Sequence, residues 1–498
     1  MPINVPGAGL ASSLVFGIGS HIKMAEQIVS GTKITDIDSF SKYKVAVNSM
    51  TIVPTSTLLE PGVIPTTIEQ FEGVPGPLSI AGNFVIDALP LRQELFFRQL
   101  LNAPTSGITA ATGNGIGDGT AQTIVSAGAF SSRSSISAST QIDQTQGPVQ
   151  LTVTATGASL TGGTLSATSP LTVTISGEDY GGSVFTESVV ITTATGTATT
   201  SGYFFKVNAV TVSYPPGATA AAGSFTITGT SNRKGIQISS VPGYRITPGM
   251  TMEVVTGTLD SAGNGGTVNT VTDAYISSFE FSATREEIVT STFGVVGRLF
   301  EPNVNPAGRA RPFADTARQS GATGPYGGGD FVTLQDDNTP YAGYNASLRA
   351  DNGSTPAVFN QVTGISLTFD NNTQFTDRLG NIYPGVVYNR QRTATVELTL
   401  EYHSSDTDFA RAYLQADSWT DVELSLVSVG GLGETKFAFP KLQLTEYPST
   451  PVESDDFVRQ TVRARILPSG GSQTDAIRIT TYGDTNHTLT NLALASLS

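Results

Sequence analysis

The sequence predicts a mainly β protein, and three observations carry that prediction. Apolar residues, many of them β-branched, alternate with polar ones over strand lengths. In Thr393–Tyr402, Ala394, Val396, Leu398 and Leu400 interleave with Thr395, Glu397, Thr399 and Glu401; Ile365, Leu367 and Phe369 do the same with Ser366, Thr368 and Asp370. The 53 Gly and 26 Pro are spread through 498 residues and cut these runs at turn spacing, without the three-residue period of collagen. Helical spacing of apolar residues occurs in only two short stretches.

Composition removes several function classes. Lys and Arg total 27 against 41 Asp and Glu, a net charge of −14, which argues against a protein that grips nucleic acid through a basic surface. There is no Cys, so disulfides, thiolate metal sites and thiol nucleophiles are excluded. The three His (His21, His403, His487) are too few and too scattered for a His-based metal or acid–base site. No run approaches 18 apolar residues, the length of a membrane-spanning helix. No cofactor is expected.

Taken in chain order, residues 1–43 read as an N-terminal arm. Gly7–Gly19 is mildly apolar, but no basic residue precedes it, so a retained arm fits better than an export signal. Strand-like Met50 and Ile52 follow, then the strand Leu78–Asp87. The spacing of Leu91, Leu95, Phe96 and Leu100 after Pro90 predicts a helix over Leu91–Leu101. Residues 103–244 read as an insertion. Its opening, Ala103–Gly147, is rich in small residues and reads as a flexible lead-in. Alternating runs at Leu151–Ala155, Leu171–Ser176, Ser188–Thr192, Phe204–Ser213 and Ser224–Gly229 then predict a small β-sandwich. Strands are predicted again around Phe279–Phe281 and Ile288–Val296. Residues 301–357 read as a long Gly/Pro-rich linker, which in a polymerising protein would serve to reach a neighbouring subunit. Residues 358–486 hold the last strands and a second helix, Asp406–Ala416, with Ser404–Asp406 as N-cap candidates. Residues 487–498 are a tail.

The two helices have matching neighbours. At an offset of 314, Ile80, Phe84 and Ile86 meet Ala394, Leu398 and Leu400; Asp87 meets Glu401, Leu95 meets Phe409 and Leu100 meets Leu414. At 315, Met50 and Ile52 meet Ile365 and Leu367. Downstream, Phe279–Phe281 parallels Leu442–Leu444. After an acidic loop in each, Ile288–Val296 parallels Phe457–Arg465. The chain therefore reads as a duplicated unit, 44–102 with 245–300 and then 358–486, the first copy interrupted by the insertion.

The motifs VTGISLTFDNN, RQRTATVELTLEY, KFAFPKLQLTEY and VRQTVRARILP resemble, in that order, the tail tube proteins of long-tailed bacteriophages. The first unit is similar more weakly, in GPLSIAGNFVID, LRQELFFRQLL and ISSFEFSATREEIVTSTFGVVGRL. Within the insertion, LTVTISGEDYGGSVFTESVVI resembles immunoglobulin-like (Ig-like) modules of phage structural proteins. The resemblance implies two tail-tube-type β-sandwich domains, each with one short helix, plus an inserted Ig-like sandwich. It implies a structural subunit of stacked hollow rings that conduct DNA into the host, with two domains per chain giving a trimeric, pseudo-six-fold ring. Implied partners are further copies of the chain, the tape measure, tail terminator and tail tip proteins, and double-stranded DNA passing without specific binding. The host surface is a further implied partner through the inserted domain. The implied location is the virion tail, assembled in the bacterial cytoplasm. On this reading Asp87, Thr395, Glu397, Thr399 and Glu401, on the polar faces of the best strands, line the lumen. The alternatives are a baseplate or head-decoration protein and a bacterial surface adhesin.

The remaining motifs have plainer readings. Asp406 and Asp408 could be a carboxylate pair, but a helix first turn makes them caps. Gly113–Gly119 lacks the Lys-Ser/Thr of a phosphate loop. Asn352-Gly-Ser354 and Asn371-Asn-Thr373 match the glycosylation pattern, which is common by chance. Trp419 is expected to pack in the core just after the second helix. No cluster joins a nucleophile, a base and an orienting group, so an enzyme is not expected.

Overall fold

A computed structural model describes residues 20–27, 43–59, 74–88, 93–103, 108–110, 122–130, 135–137, 149–161, 164–179, 183–204, 206–230, 234–240, 249–257, 267–303, 332–333, 341–351, 357–358, 362–377, 379–401, 418–427, 433–446, 459–468 and 477–483. The predicted helix Asp406–Ala416, the loop Gly113–Gly119, Asn352–Ser354 and the tail 487–498 lie outside them.

The chain opens with β1 (His21–Glu26), β2 (Tyr43–Ala46), β3 (Ser49–Met50), β4 (Val53–Leu59), β5 (Val74–Asp87) and helix α1 (Glu94–Leu101). Then come β6 (Ile108–Ala110), β7 (Gln122–Ala129), β8 (Ser135–Ser137), β9 (Val149–Thr161), β10 (Leu171–Glu178), β11 (Val184–Ile191), β12 (Gly196–Phe204), β13 (Lys206–Ser213) and β14 (Thr219–Thr230). After these run β15 (Lys234–Ser239), β16 (Met250–Thr256), β17 (Thr267–Thr284), β18 (Thr290–Gly297), β19 (Leu299–Asn303) and β20 (Val332–Thr333). The last are β21 (Ala346–Asp351), β22 (Ala357–Val358), β23 (Val362–Asp370), β24 (Thr373–Phe375), β25 (Val387–Asn389), β26 (Thr393–Glu401), β27 (Ser418–Val427), β28 (Glu434–Leu444), β29 (Arg459–Leu467) and β30 (Arg478–Gly483). The mainly β prediction holds. Among the described residues α1 is the one α-helix.

Two groups of strands pair in the same way. In the first, β3 pairs with β5, β5 with β18 and β18 with β17; in the second, β23 pairs with β26, β26 with β29 and β29 with β28. Met50 faces Phe84 and Asp87 faces Thr290, while Ile365 faces Leu398 and Glu401 faces Arg459. Each of these pairs joins positions that the sequence comparison had set in parallel. The last hairpin differs. Phe279 faces Phe293, but Leu442 faces Ile466 and not Val462, a shift of four residues taken up by the longer β28–β29 connection. Each group also has a flanking sheet, β2–β1–β16–β17 in one and β22–β21–β27–β28 in the other.

These flanking sheets depart from the sequence reading. β1 lies in the stretch expected as an arm, with Ile22 and Met24 fully buried, and β21 lies in the stretch expected as a linker, with Leu348 buried. β1 is buried from Ile22 to Glu26, Lys23 included, so no apolar–polar alternation marks it in the sequence. Other local expectations also shift. Ile288 is 57% exposed and precedes β18; Val289 is buried in its place. The side chain of Trp419, expected in the core, lies outside the described residues. The lead-in of the insertion holds β6, β7 and β8.

The two groups share one core. Phe84, Phe279 and Phe293 line the inner face of the first sheet, and Phe96 and Phe97 of α1 pack on them. Phe97 also meets Phe437 of β28 edge-on, ring centres 5.9 Å apart, so the second group completes the first group's core. The predicted amphipathic helix is therefore buried on all sides, and all eight of its residues are inaccessible. That forces Arg98 inside, where it ion-pairs with Glu26 of β1, while Gln99 donates to the same carboxylate at 2.9 Å. Asn102, with φ 53°, turns the chain out of the helix.

The insertion has its own core. The sheets β12–β9–β14–β7 and β11–β10–β13–β8 enclose Val149, Leu151, Val153, Ile175, Val210, Phe225 and their neighbours. Its stem is β6 paired with β15, so Ala110 and Ile236 lie side by side.

Two outcomes are expected. Arg98→Ala leaves Glu26 buried without its counter-ion and should lower the unfolding free energy by about 3–5 kcal/mol in denaturant titration. Burial, outweighing Arg98, already raises the Glu26 pKa. Removing Arg98 raises it further, and a raised folded-state pKa gives stability at low pH that is lost as pH rises, so the defect should shrink on acidification. Excising 111–233 and joining the stem by a short turn should leave cooperative unfolding and the strand circular-dichroism signal of the remainder.

Candidate functional site

The two groups are joined into one sheet. β17 of the first pairs with β23 of the second, Phe279 opposite Phe369 and Ser282 opposite Ser366. One sheet thus runs β3–β5–β18–β17–β23–β26–β29–β28. Alternation sends its apolar residues to the shared core and its polar ones to the opposite face.

Directly opposed residues share a face, so register gives the surface row by row. One row is Asp87, Thr290, Ser282, Ser366, Glu397 and Arg463; the next is Val85, Thr292, Glu280, Thr368, Thr395 and Arg465. Thr399 faces Thr461 and Glu401 faces Arg459. All five residues singled out from sequence, Asp87, Thr395, Glu397, Thr399 and Glu401, lie on this one face. Four are on β26. Asp87 is four strands away, about 19 Å at the usual strand spacing.

The charge on this face is uneven. Asp87 accepts from Asn48 Nδ2 at 2.6 Å, and the rows of β5, β18 and β17 carry Asp87 and Glu280 with no basic residue. β29 carries Arg459, Arg463 and Arg465. Arg463 Nε donates to Glu397 at 2.6 Å and Nη1 to Glu446 at 3.1 Å; the Glu397 hydrogen bond, then the two carboxylate charges, raise its pKa. The arginines were missed in the sequence reading, although 459, 463 and 465 share strand parity in RQTVRARIL. The face therefore carries both signs. Among the described residues, no three His, Asp or Glu side chains converge as a metal site.

The joint beneath this face is clamped. Tyr341 donates from its backbone to the Ala88 carbonyl at 3.0 Å, and its hydroxyl donates to Thr435 Oγ1 at 3.0 Å. Asn371 Nδ2 donates to the Leu100 carbonyl at 2.5 Å, and Arg392 Nη2 to the Leu101 carbonyl at 3.2 Å. Burial lowers the Arg392 pKa to about 10. Arg298 ion-pairs with Asp273 and donates to the Pro384 carbonyl, fixing the loop between β24 and β25. Asn371 is 1% exposed, so its glycosylation pattern is a chance match.

At the far edge, β3 and β4 pair only with β5 among the described residues. Pro54 suits such an edge strand. Val53 and Leu59 on it are 51% and 54% exposed, and Val74 opposite Leu59 is 61% exposed. Gly82 permits the close crossing, since a Cβ there would sit 2.1 Å from the Thr51 carbonyl.

Residues 250–465, from β16 to β29, match the family model described as phage tail tube protein. No curated protein matches the chain. The matched family is structural, and the match supports a phage tail tube component of the virion, one that assembles with itself and with other tail proteins.

Asn371→Ala should destabilise the protein by about 1–3 kcal/mol in denaturant titration, by stranding the Leu100 carbonyl.

Proposed function

We propose that each chain supplies two tube domains, that three chains close a pseudo-six-fold ring, and that stacked rings form a hollow tail tube conducting double-stranded DNA. The observation that carries this reading is the β17–β23 pairing, which continues one strand group's sheet into a second group of the same order. A neighbouring chain docked along the exposed edge of β3 and β4 would cover it, where it otherwise invites uncontrolled pairing. A heterologous contact that closes makes a ring, and stacking that does not close makes a filament. Three eight-stranded sheets at about 4.8 Å per strand give a wall of about 115 Å circumference, about 37 Å across before strand tilt widens it. That admits a double helix.

The polar face then lines the lumen, with Asp87, Thr395, Glu397, Thr399 and Glu401 in the wall, and α1 with the shared core lies behind it. Small Ser and Thr side chains give a phosphate backbone little to hold. The insertion, read as Ig-like, sits outside the ring once per chain, where it can meet the host surface. Tape measure, terminator and tip proteins complete the partners, and assembly takes place in the bacterial cytoplasm. The loop around Leu379, Ile382 and Val386, all strongly exposed, is a candidate ring-stacking contact.

Image averages from electron microscopy should show a six-lobed wall with three outer knobs. Six knobs would reject the two-domain reading, and compact monomers in every preparation would reject the tube. The chain lacks Cys, so Glu397→Cys and Thr399→Cys can be labelled singly. In assembled tubes a small thiol reagent should react and one too large for the tube ends should not. Equal reaction with both would remove this face from the lumen.

A further inference from the structure

The polar face is acidic in one sector and mixed in sign in the other, where Glu397, Glu401 and Glu446 stand among the arginines of β29. The strands β5, β18 and β17 present Asp87 and Glu280 and no Lys or Arg in the paired rows. β29 presents Arg459, Arg463 and Arg465 on one face, and β28 adds Lys441 beside them.

These cations differ in how far they are compensated. Arg463 lies between Glu397 and Glu446 and is largely cancelled. Arg459 stands opposite Glu401. Arg465 stands between Thr395 and Gln443, and Lys441 between Leu467 and Thr420; neither has an ion pair among the described residues. Arg465 is exposed. An exposed guanidinium held on a strand, flanked by neutral side chains, presents its fork to whatever passes the face. Its planar donors suit a phosphate oxygen pair.

We propose that Arg465, with Lys441 and Arg459 beside it, forms a line of contact for the phosphate backbone of the transiting duplex. The proposal rests on the lumen reading above. In a ring of three chains, three such lines alternate with three acidic sectors. The contact is sequence-independent, since phosphates carry no base information. It stays weak because only one or two charges per chain are uncompensated, and the acidic sectors keep the duplex from lying against the whole wall. Its signature is salt dependence, since each phosphate neutralised contributes a slope of about 0.9 in log K against log salt.

The test uses assembled tubes and short duplex DNA, with retention measured from low to moderate salt. Arg465→Glu should cut retention about fivefold at low salt and lower the salt slope by about 1. Arg465→Gln should do so less, and Glu280→Gln should raise retention. Intact tubes in which Arg465→Glu and Arg465→Gln retain DNA with unchanged affinity and slope would overturn the contact line and leave the tube reading standing. If the unaltered chain forms no hollow assembly, the tube reading fails and the contact line falls with it.

Discussion

The hydrogen-bonded pairing of β17 with β23 is the constraint on which the rest of the molecule depends. It places Phe279 and Phe281 in register with Phe369 and Leu367, so the apolar rows of both strand groups run on without a break. Phe437 can then reach Phe97, and α1 acquires a second wall. The clamps at Tyr341, Asn371 and Arg392 all cross this joint. Each satisfies a backbone carbonyl, at Ala88 or at the end of α1, that would otherwise be buried unpaired. The polar face is the other side of the same registration. Its rows are continuous because the core rows are.

Much of this could be read from residues. The alternation in Thr393–Glu401 fixed both the strand and the face of its charges, because period two admits one solution once the apolar set is buried. The offsets that matched Met50 with Ile365 and Asp87 with Glu401 anticipated strand pairs. What failed was long-range. β1 and β21 are six residues each and owe their place to partners more than 200 and 70 positions away in sequence, at Glu253 and Glu423. The burial of Arg98 was also invisible. Its helix shows an ordinary apolar stripe, and only the wall supplied by β28 and the carboxylate of Glu26 explain a buried cation. The arginines of β29 were legible in principle from their shared parity, but a net charge sums over the whole chain and carries no placement.

The buried polar groups around α1 belong to the same joint. Glu26, Arg98 and Gln99 tie the first strand to the helix, and Glu94 accepts from the Thr481 hydroxyl at 2.8 Å, tying the helix to β30. Such groups contribute little net stability when paired and cost a great deal when separated. They make the correct docking of α1 the one arrangement without an orphaned charge, in a sheet where apolar rows alone would tolerate slippage.

The stem of the insertion shows how closely the two strand groups interlock. Genetically it interrupts the first strand group. Structurally, β15 pairs with β30, which pairs with β28, so the stem extends the sheet of the second. Each half now finishes a surface that the other leaves open. A chain cut between the two groups would expose the seam on both products. The two groups therefore stand or fall together, and neither can be lost or exchanged without leaving the other's core open.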